Sequence, residues 1–221
     1  MTDQARLQAL LSHLESQQRN DPDTRLVRRA VRLRANDMCE YCLRRTVNPF
    51  HVDHIIPADL WQRYIAGRIA GISPAIRRRG PDHLDNLAWS CPLCNGSKLQ
   101  RVTARVSGRS QRIFDPRHDS WPEHFVFASH HLAIIGVTLV GVATEKVLNF
   151  NGGGLDGPLV TRHDDIVSGR YPPTVTRWGT TSVAFVDAYL TELAQRDSLS
   201  VCTVNARDFP GIANSYATAA L

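Results

Sequence analysis

The sequence has no long uninterrupted apolar run and no secretory signal. Its start, MTDQARLQALLSHLESQQ, lacks the apolar core flanked by basic residues that a signal peptide needs. The most apolar stretch, FVFASHHLAIIGVTLVGVA, is interrupted by His130 and His131, and its pattern is typical of paired strands rather than of a membrane span. No internal repeat is present. We therefore expect a soluble, cytoplasmic protein that has no membrane partner.

Lysine is scarce, because 24 of the 26 basic residues are Arg and only two are Lys. A guanidinium binds phosphate oxygens through two hydrogen bonds, which an ammonium does not. The charge is also uneven. Residues 1–120 hold 20 Lys and Arg against 12 Asp and Glu (+8), whereas residues 121–221 hold 6 against 9 (−3). A basic half of this kind favours a polyanionic partner, DNA or RNA, although a genome-wide preference for Arg gives the same bias.

Hydrophobic spacing predicts two helices in the N-terminal part. The first covers residues 3–19, and the second lies in NDPDTRLVRRAVRLRAND, with Asp21 as its N-cap and Pro22 in its first turn. Arg28 and Arg32 share one face of the second helix with further arginines. That face either contacts phosphates or is simply solvated, and the sequence leaves both interpretations open.

Short strands and helices are predicted for the rest of the chain, which places it in the α+β class. Strands are expected around Phe50–Ile56 and at LDNLAWS, and CPLCNGSKLQRV is typical of a turn that enters a helix. DLWQRYIAGRIAG predicts another helix, and residues 121–150 predict strands followed by a helix. NGGGLDG is a linker, and TSVAFVDAYLTELAQRD beyond it has helical periodicity.

Disulfides are not expected in the cytoplasm, so the five cysteines need another explanation. Four of them form two C-x-x-C pairs, Cys39 with Cys42 and Cys91 with Cys94, which is typical of a tetrahedral zinc site with four thiolates. The 48 residues between the pairs exceed what a zinc ribbon holds, so we expect a folded segment between them. A redox pair and chance are the alternatives. Cys202 stands apart and is predicted to be a small buried residue.

Three motifs in this order, CEYC, HVDHIIP and DNLAWSCPLCNGSK, resemble the HNH endonucleases that carry a four-cysteine zinc site. IFDPRHDSWPEHF and IIGVTLVGVATEKVLNFN resemble the segment that follows the nuclease core in many bacterial HNH proteins. The resemblance covers residues 25–151. It implies a ββα-metal core, which consists of two strands and a helix around one divalent cation, and metal-dependent hydrolysis of DNA phosphodiester bonds. The implied cofactors are a structural Zn²⁺ and a catalytic Mg²⁺, Mn²⁺ or Ni²⁺.

This resemblance divides the chain into an N-terminal helix (1–24), an HNH core with the zinc site (25–120), a β/α extension (121–150) and a C-terminal segment of unknown role (158–221). The last segment also faintly resembles the final helix-strand unit of PIN-domain nucleases, with two matching acids but no matching N-terminal strand. We therefore assign it no second active site. The two acids are Asp187 and Asp208.

The chemistry of phosphodiester hydrolysis fits the motif around Asp53 and His54. An imidazole takes up protons near neutral pH, so His54 is the natural general base, and Asp53 offers a hard oxygen ligand to a divalent cation. Neighbouring side chains of a strand point to opposite faces, so the strand must end or bend at this pair, as the nearby Pro57 allows. The resemblance implies that Asn95 is a second metal ligand, where many relatives have His, and that Asn86 braces the loop that orients His54.

Most relatives join the two strands by a short Gly-rich loop, whereas this chain uses about two dozen residues. The sequence leaves three roles open for this insertion: it contacts DNA, it limits substrate access, or it is a solvated loop. The candidate nucleic-acid contacts are Lys98, Arg28, Arg32, Arg77, Arg78 and Arg79.

We expect double-stranded DNA as the partner. A catalytically inactive, zinc-stapled DNA-binding module is the alternative function, and an RNA-directed nuclease is a third. The sequence leaves open the oligomeric state (a homodimer and a larger defence complex both fit), the target sequence and the pathway, of which phage defence is one.

Overall fold

The computed structural model describes most of the chain up to residue 171, in which short helices alternate with two-stranded antiparallel sheets. The described residues are 3–16, 21, 24–45, 50–73, 78–128, 132–154, 157–169 and 171. The helices are α1 (Asp3–Glu15), α2 (Arg25–Arg34), α3 (Trp61–Ile65), α4 (Pro92–Lys98), α5 (Trp121–His124), α6 (Leu139–Leu148) and α7 (Pro158–Val167). The strands pair as β1 (His51–His54) with β2 (Leu87–Ser90), β3 (Thr103–Val106) with β4 (Arg109–Arg112), and β5 (Phe125–Ala128) with β6 (Ala133–Gly136). The predicted α+β class is confirmed.

The first two helices pack against each other. Helix α1 covers Asp3–Glu15 of the predicted range 3–19. The prediction that Asp21 caps α2 is wrong. The N-cap is Thr24, whose hydroxyl accepts a hydrogen bond from the backbone N–H of Val27 at 3.3 Å. This bond satisfies a backbone donor that the helix itself leaves free, so the helix starts there.

The β1–β2 hairpin lies between α2 and α4. Val52 pairs with Trp89, and the Trp89 ring lies beneath a guanidinium of α2. Asp53 is the next residue of β1 and therefore points to the other face, where it meets Lys98 of α4. Strand β1 ends at His54, as the predicted break in the strand requires.

The long insertion after β1 has only short helical segments, a 3-10 helix at Ala58–Leu60, α3, and a second 3-10 helix at Leu84–Asn86. The helix predicted over DLWQRYIAGRIAG is reduced to the five residues of α3. The chain turns away at Gly67, whose φ of 64° favours glycine. The insertion nevertheless has a small hydrophobic core of its own. Its buried members are Ile56, Tyr64, Ile69 and Val102.

The β3–β4 hairpin was not predicted from the sequence. Its two-residue turn consists of Ser107 and Gly108, whose φ angles of 49° and 77° are both positive. Two positive φ angles define a type I′ turn, whose twist matches that of the flanking strands. The hairpin packs against α6 and follows α4 almost directly.

The extension predicted at 121–150 has the expected strands followed by a helix. Helix α6 lies very close to β6 and α5 because Gly141 has no side chain; a Cβ there would lie 2.1 Å from the carbonyl oxygen of His124. Trp121 of α5 donates its indole N–H to the carbonyl of Tyr41 at 2.8 Å. The extension is thereby anchored to the turn that carries the first cysteine pair.

The main hydrophobic core joins α2, the β1–β2 hairpin, the cysteine pairs and the extension. Helix α7 closes this core, and its buried Arg162 donates to the carbonyl of Phe150 at 2.8 Å. Within the described ranges, the longest helices are too short and too polar to cross a bilayer. Several sequence predictions lie outside the described residues, namely the helix at 181–197, Cys202, Asp187 and Asp208.

Candidate active site and metal centre

The four cysteines of the two C-x-x-C pairs come together as predicted. Their sulfur atoms are all buried and lie within 4.8 Å of one another, and the Sγ atoms of Cys42 and Cys91 are 3.7 Å apart. A tetrahedron of thiolates around Zn²⁺, with Zn–S bonds of about 2.3 Å, has edges of about 3.8 Å. All four cysteines are free. The cluster is therefore positioned to bind a metal ion and is compatible with a structural zinc.

Local backbone structure aims the sulfurs at one point. In the first pair, the N–H of Cys39 donates to the carbonyl of Arg44 at 2.8 Å, and Leu43 returns a hydrogen bond to the Cys39 carbonyl at 2.9 Å. In the second pair, Cys91 is the N-cap of α4, and its sulfur accepts the N–H of Cys94 at 3.4 Å. One pair thus lies in a tight turn and the other at a helix start, so a shared ion fixes α4 to that turn.

Burial and mutual hydrogen bonds shift the pKa of three of the four cysteines. Hydrogen bonds from Cys39, Cys91 and Cys94 lower the pKa of Cys42 well below its ordinary value, although burial opposes this. Hydrogen bonds with Cys39 and Cys42, together with burial, raise the pKa of Cys91 well above its ordinary value, and the pKa of Cys94 is raised in the same way. A cation that binds four thiolates must displace the thiol protons, so its affinity falls as the pH falls.

The imidazole of His54 is held by a carboxylate that the sequence did not reveal. Its Nε2 lies 3.0 Å from Oδ1 of Asp82, which belongs to the long insertion, and its side chain is 27 % exposed. An Asp that accepts the Nε2–H leaves Nδ1 as the basic nitrogen of the neutral ring. The backbone is fixed as well, because Lys98 donates to the carbonyl of His54 at 2.7 Å.

Asp53 is buried and has partners different from those of His54. The hydroxyl of Tyr41 donates to its Oδ2 at 2.7 Å, and the Nζ of Lys98 lies 3.1 Å from both carboxylate oxygens. Burial raises the pKa of Tyr41 well above its ordinary value, and the charge of Asp53 raises it further, so the phenol remains a donor. The carboxylate proposed as a metal ligand is thus already paired with a fully buried ammonium.

Asn86 is completely buried and joins two loops through its side chain. Its Oδ1 accepts the N–H of Ile56 at 2.9 Å, and its Nδ2 donates to the carbonyls of Ile56 at 2.8 Å and Pro81 at 2.7 Å. The backbone of Asn86 also accepts the N–H of Ile55 at 2.8 Å. These bonds connect the residues after His54 with the residue before Asp82.

Asn95 lies in α4, one turn before Lys98, and therefore on the same side of the helix. It is half-buried, and its side-chain amide makes no hydrogen bond to the described residues. The oxygen donors of Asn95 and Asp53 suit a hard cation such as Mg²⁺. The ammonium of Lys98 beside Asp53 opposes such a cation. Outside the cysteines, the described residues contain no further cluster of three metal-ligating His, Cys, Asp or Glu side chains.

Two of the residues predicted to contact nucleic acid instead form buried ion pairs. Lys98 pairs with Asp53 and is 0 % exposed, and the guanidinium of Arg78 pairs with Asp115 inside the protein. In this conformation neither cation is available to a phosphate from solvent. Arg77 lies outside the described residues.

The other three predicted contacts also have partners within the protein. Arg28 lies over the ring of Trp89, 5.6 Å from its centroid, and Arg32 pairs with Asp37 at the surface. Arg79 donates to a backbone carbonyl of α1 at 3.3 Å. The exposed pair of Arg32 is weak in water and leaves that side chain free to exchange partners.

No family model matches the chain, and searches of the curated proteins and of the solved structures find no significant match. The likeness to HNH endonucleases therefore stays a prediction from the motifs. Two residues of the site had escaped the sequence analysis. Asp82 lies in the insertion, where spacing carries no information, and Tyr41 lies within the first C-x-x-C pair, whose pattern indicates a role only for the cysteines.

Proposed function

We propose that this protein is a metal-dependent HNH endonuclease that hydrolyses DNA phosphodiester bonds. The strands β1 and β2 and the helix α4 would form its ββα-metal core. The observation that carries the proposal is the placement of His54, whose half-exposed imidazole lies at the end of β1 and is oriented by the carboxylate of Asp82. A histidine held in this way is prepared to take a proton from water.

In this proposal His54 is the general base. Asp82 accepts its Nε2–H, so the free Nδ1 receives the proton of the attacking water, and the carboxylate stabilises the imidazolium that forms. Lys98 holds the carbonyl of His54, and Asn86 holds the backbone of Ile56 two residues later, through the contacts described above. Because the imidazole is already held in this orientation, it loses little conformational entropy when the reaction begins.

Asp53 and Asn95 would hold the divalent cation. When bound, such a cation neutralises charge on the scissile phosphate and stabilises the leaving oxygen. Lys98 already neutralises Asp53, so we expect weak cation binding in the absence of nucleic acid. Mg²⁺ is commonly held by one or two protein oxygens together with substrate phosphates, which agrees with this expectation.

We further propose that the four cysteines hold a structural Zn²⁺. The sulfur separation of 3.7 Å and the complete burial of the ligands support zinc with a closed coordination shell rather than a catalytic zinc. Its role would be to fix α4, which carries Asn95 and Lys98, to the turn that carries Tyr41. One zinc per chain is the expected stoichiometry.

The decisive experiment incubates the purified protein with supercoiled plasmid in Mg²⁺, Mn²⁺ or Ni²⁺, with EDTA as the blank. We expect nicking that requires the cation, and a loss of about 10²-fold or more in His54→Ala. His51→Ala is the matched control, because His51 is an exposed histidine of the same strand, and it should nick like the wild type. Zinc content should be equal in all three proteins. Nicking by His54→Ala at the wild-type rate would disprove the assignment.

A catalytically inactive, zinc-stapled DNA-binding module is the second candidate. The ion pair between Lys98 and Asp53 favours it, because a permanently neutralised carboxylate is a poor metal ligand. This candidate predicts DNA binding without nicking in any divalent cation. An RNA-directed nuclease is tested by replacing the plasmid with single-stranded and double-stranded RNA.

A further inference from the structure

We propose that five exposed arginines on two adjacent segments bind the phosphates of duplex DNA beside His54. We call this set the arginine surface. Its members are Arg63, Arg68, Arg101, Arg105 and Arg109. The proposal rests on the proposed function, since it assigns the partner of the same site, and it uses residues outside the motifs that suggested that function.

These segments carry only basic charge. Residues 60–73 and 99–112 contain six arginines and no Asp or Glu. Arg112 pairs with Asp119, whereas the five arginines of the surface form no ion pair with the described residues. Among the other described arginines, Arg25, Arg29 and Arg45 are also exposed and form no ion pair with the described residues, whereas five pair with acids. The pairs are Arg32–Asp37, Arg34–Glu40, Arg44–Asp165, Arg78–Asp115 and Arg117–Glu40.

The two segments form one continuous part of the surface. Gln100 donates to the carboxylate of Asp59 at 2.7 Å, and the hydroxyl of Ser110 donates to the carbonyl of Ala70 at 2.9 Å. Gly71, with a φ of 88°, approaches the backbone of Ser110 so closely that a Cβ would lie 2.7 Å from its carbonyl oxygen. The insertion and the β3–β4 hairpin are therefore in direct contact.

The same two segments share the small hydrophobic core of the insertion. Tyr64 and Ile69 pack there with Val102, and so does Ile56, which lies two residues after His54. On the other side, Arg101 lies only three residues after the lysine that donates to the His54 carbonyl. Both segments that carry the arginine surface therefore pack against Ile56, two residues after the proposed catalytic histidine.

The tip of the hairpin presents its arginines to solvent. The type I′ turn at Ser107 and Gly108 separates Arg105 from Arg109, and all four residues are exposed. The register places Val106 opposite Arg109, so the two arginines extend from opposite faces of the ribbon. A two-stranded ribbon is narrow enough to lie along a duplex, where the two guanidinium groups would reach different phosphates.

A nucleic-acid backbone is the partner that fits several exposed guanidinium groups without acidic partners. Each phosphate contact releases condensed counterions, so the binding constant falls with salt by a slope of about 0.9 per contact on B-DNA. Duplex DNA is the partner in this proposal, because both segments pack against the chain next to the site proposed to cut it. Removal of two contacts should lower the salt slope by about 2.

The test measures binding separately from cleavage. The full chain carrying His54→Ala is titrated onto a short fluorescein-labelled DNA duplex, followed by anisotropy, between about 50 and 200 mM KCl. The test variant adds Arg105→Ala and Arg109→Ala. The comparison variant adds Arg25→Ala and Arg29→Ala, which remove the same charge from the exposed face of α2, the competing candidate surface for phosphate contacts. Zinc content and the melting temperature verify that all proteins are folded.

We expect the hairpin variant to bind about tenfold more weakly, with the smaller salt slope, and the α2 variant to change much less. Equal losses in both variants would assign the effect to net charge and overturn the proposal, as would no loss in the hairpin variant. Tighter binding of duplex RNA than of DNA would overturn the choice of partner. Because binding is measured without cleavage, a wild-type protein that never nicks DNA would refute the nuclease and leave the surface intact.

Discussion

The carboxylate of Asp82 decides how the imidazole of His54 is presented. Asp82→Ala removes the acceptor 3.0 Å from Nε2, so the ring loses its fixed orientation and the imidazolium loses its partner. We expect nicking at saturating DNA to fall about 10- to 100-fold, by analogy with other orienting groups, while the KM for DNA stays constant. Asp82→Asn keeps a hydrogen-bond acceptor but lacks the charge. Its nicking rate should lie between those of the wild type and Asp82→Ala.

Asp59→Ala is the control for this prediction, because it removes an exposed acid of the same insertion that bonds only to Gln100 among the described residues. It should nick like the wild type. If Asp82→Ala nicks at the wild-type rate as well, Asp82 does not position His54.

The two asparagines of the site should separate stability from activity. Asn86→Ala leaves the N–H and carbonyl of Ile56 and the carbonyl of Pro81 without their buried partners. We expect the free energy of unfolding to fall by about 2–4 kcal/mol, measured by urea denaturation. Asn95→Ala removes a half-buried side chain with no hydrogen bond to the described residues, so stability should change by less than about 0.5 kcal/mol.

Activity reverses this order if Asn95 holds the catalytic cation. Asn95→Ala should then nick far more slowly than the wild type although it is equally stable. Asn86→Ala should recover part of its nicking when the assay is run at a lower temperature, where more of it is folded. Wild-type nicking by Asn95→Ala contradicts its role as a ligand.

At the scale of whole elements, the N-cap of α6 contacts a histidine. The hydroxyl of its N-cap, Thr138, accepts the N–H of Gly141 at 3.1 Å and lies 2.6 Å from Nδ1 of His124. Burial lowers the pKa of His124, although the nearby Asp119 opposes this. The folded state therefore favours the neutral ring, to which the hydroxyl can donate.

This shift has a definite sign. A histidine whose pKa is lower in the folded state binds protons more weakly there than in the unfolded chain, so stability is lost as the pH falls below about 6.5. His124→Gln lacks this titration and should lose less stability than the wild type between about pH 7.5 and pH 5. His163→Gln, in which the lost ring is 63 % exposed, should follow the wild type. Equal losses in the three proteins would contradict the prediction.

The elements that the sequence predicted well are those with a local signal. Each cysteine pair has a two-residue spacing, and two such pairs in one chain predict a shared metal ion, so their approach was predictable; β2 and α4 adjoin the second pair directly. The start of α2 was placed too early because Asp21 and Thr24 are both good N-caps, and only the hydrogen bond to Val27 selects between them. The Ser107–Gly108 turn was a usable signal for the missed hairpin.

The parts that escaped prediction depend on contacts between distant segments. Asp82 reaches His54 across 28 residues, and Lys98 reaches Asp53 across 45. No sequence spacing predicts either pairing, because the insertion that follows His54 folds around its own small core. Lys98 was predicted to contact phosphate, whereas in the structure it neutralises Asp53.

Across the whole molecule, α7 connects the C-terminal part of the described chain to the cysteine cluster. Asp165 of α7 pairs with Arg44 at 2.6 Å, and the hydroxyl of Tyr171 donates to the carbonyl of Cys42 at 3.0 Å. Both contacts hold the turn that carries Cys42. The turn must move before a chelator can reach the buried sulfurs, so α7 should slow the loss of zinc.

Asp165→Asn tests this connection, because it removes the carboxylate charge that pairs with the partly buried guanidinium of Arg44, a change that we expect to cost about 1.5–3 kcal/mol. We expect zinc release to a chromogenic chelator to accelerate several-fold while the initial zinc content stays at one per chain. Asp164→Asn is the matched control, since its side chain is the neighbouring acid and is 68 % exposed. Tyr171→Phe should accelerate release to a smaller extent, because it removes one neutral hydrogen bond of about 1 kcal/mol. Equal release rates in Asp165→Asn and Asp164→Asn would show that the cysteine turn opens independently of α7.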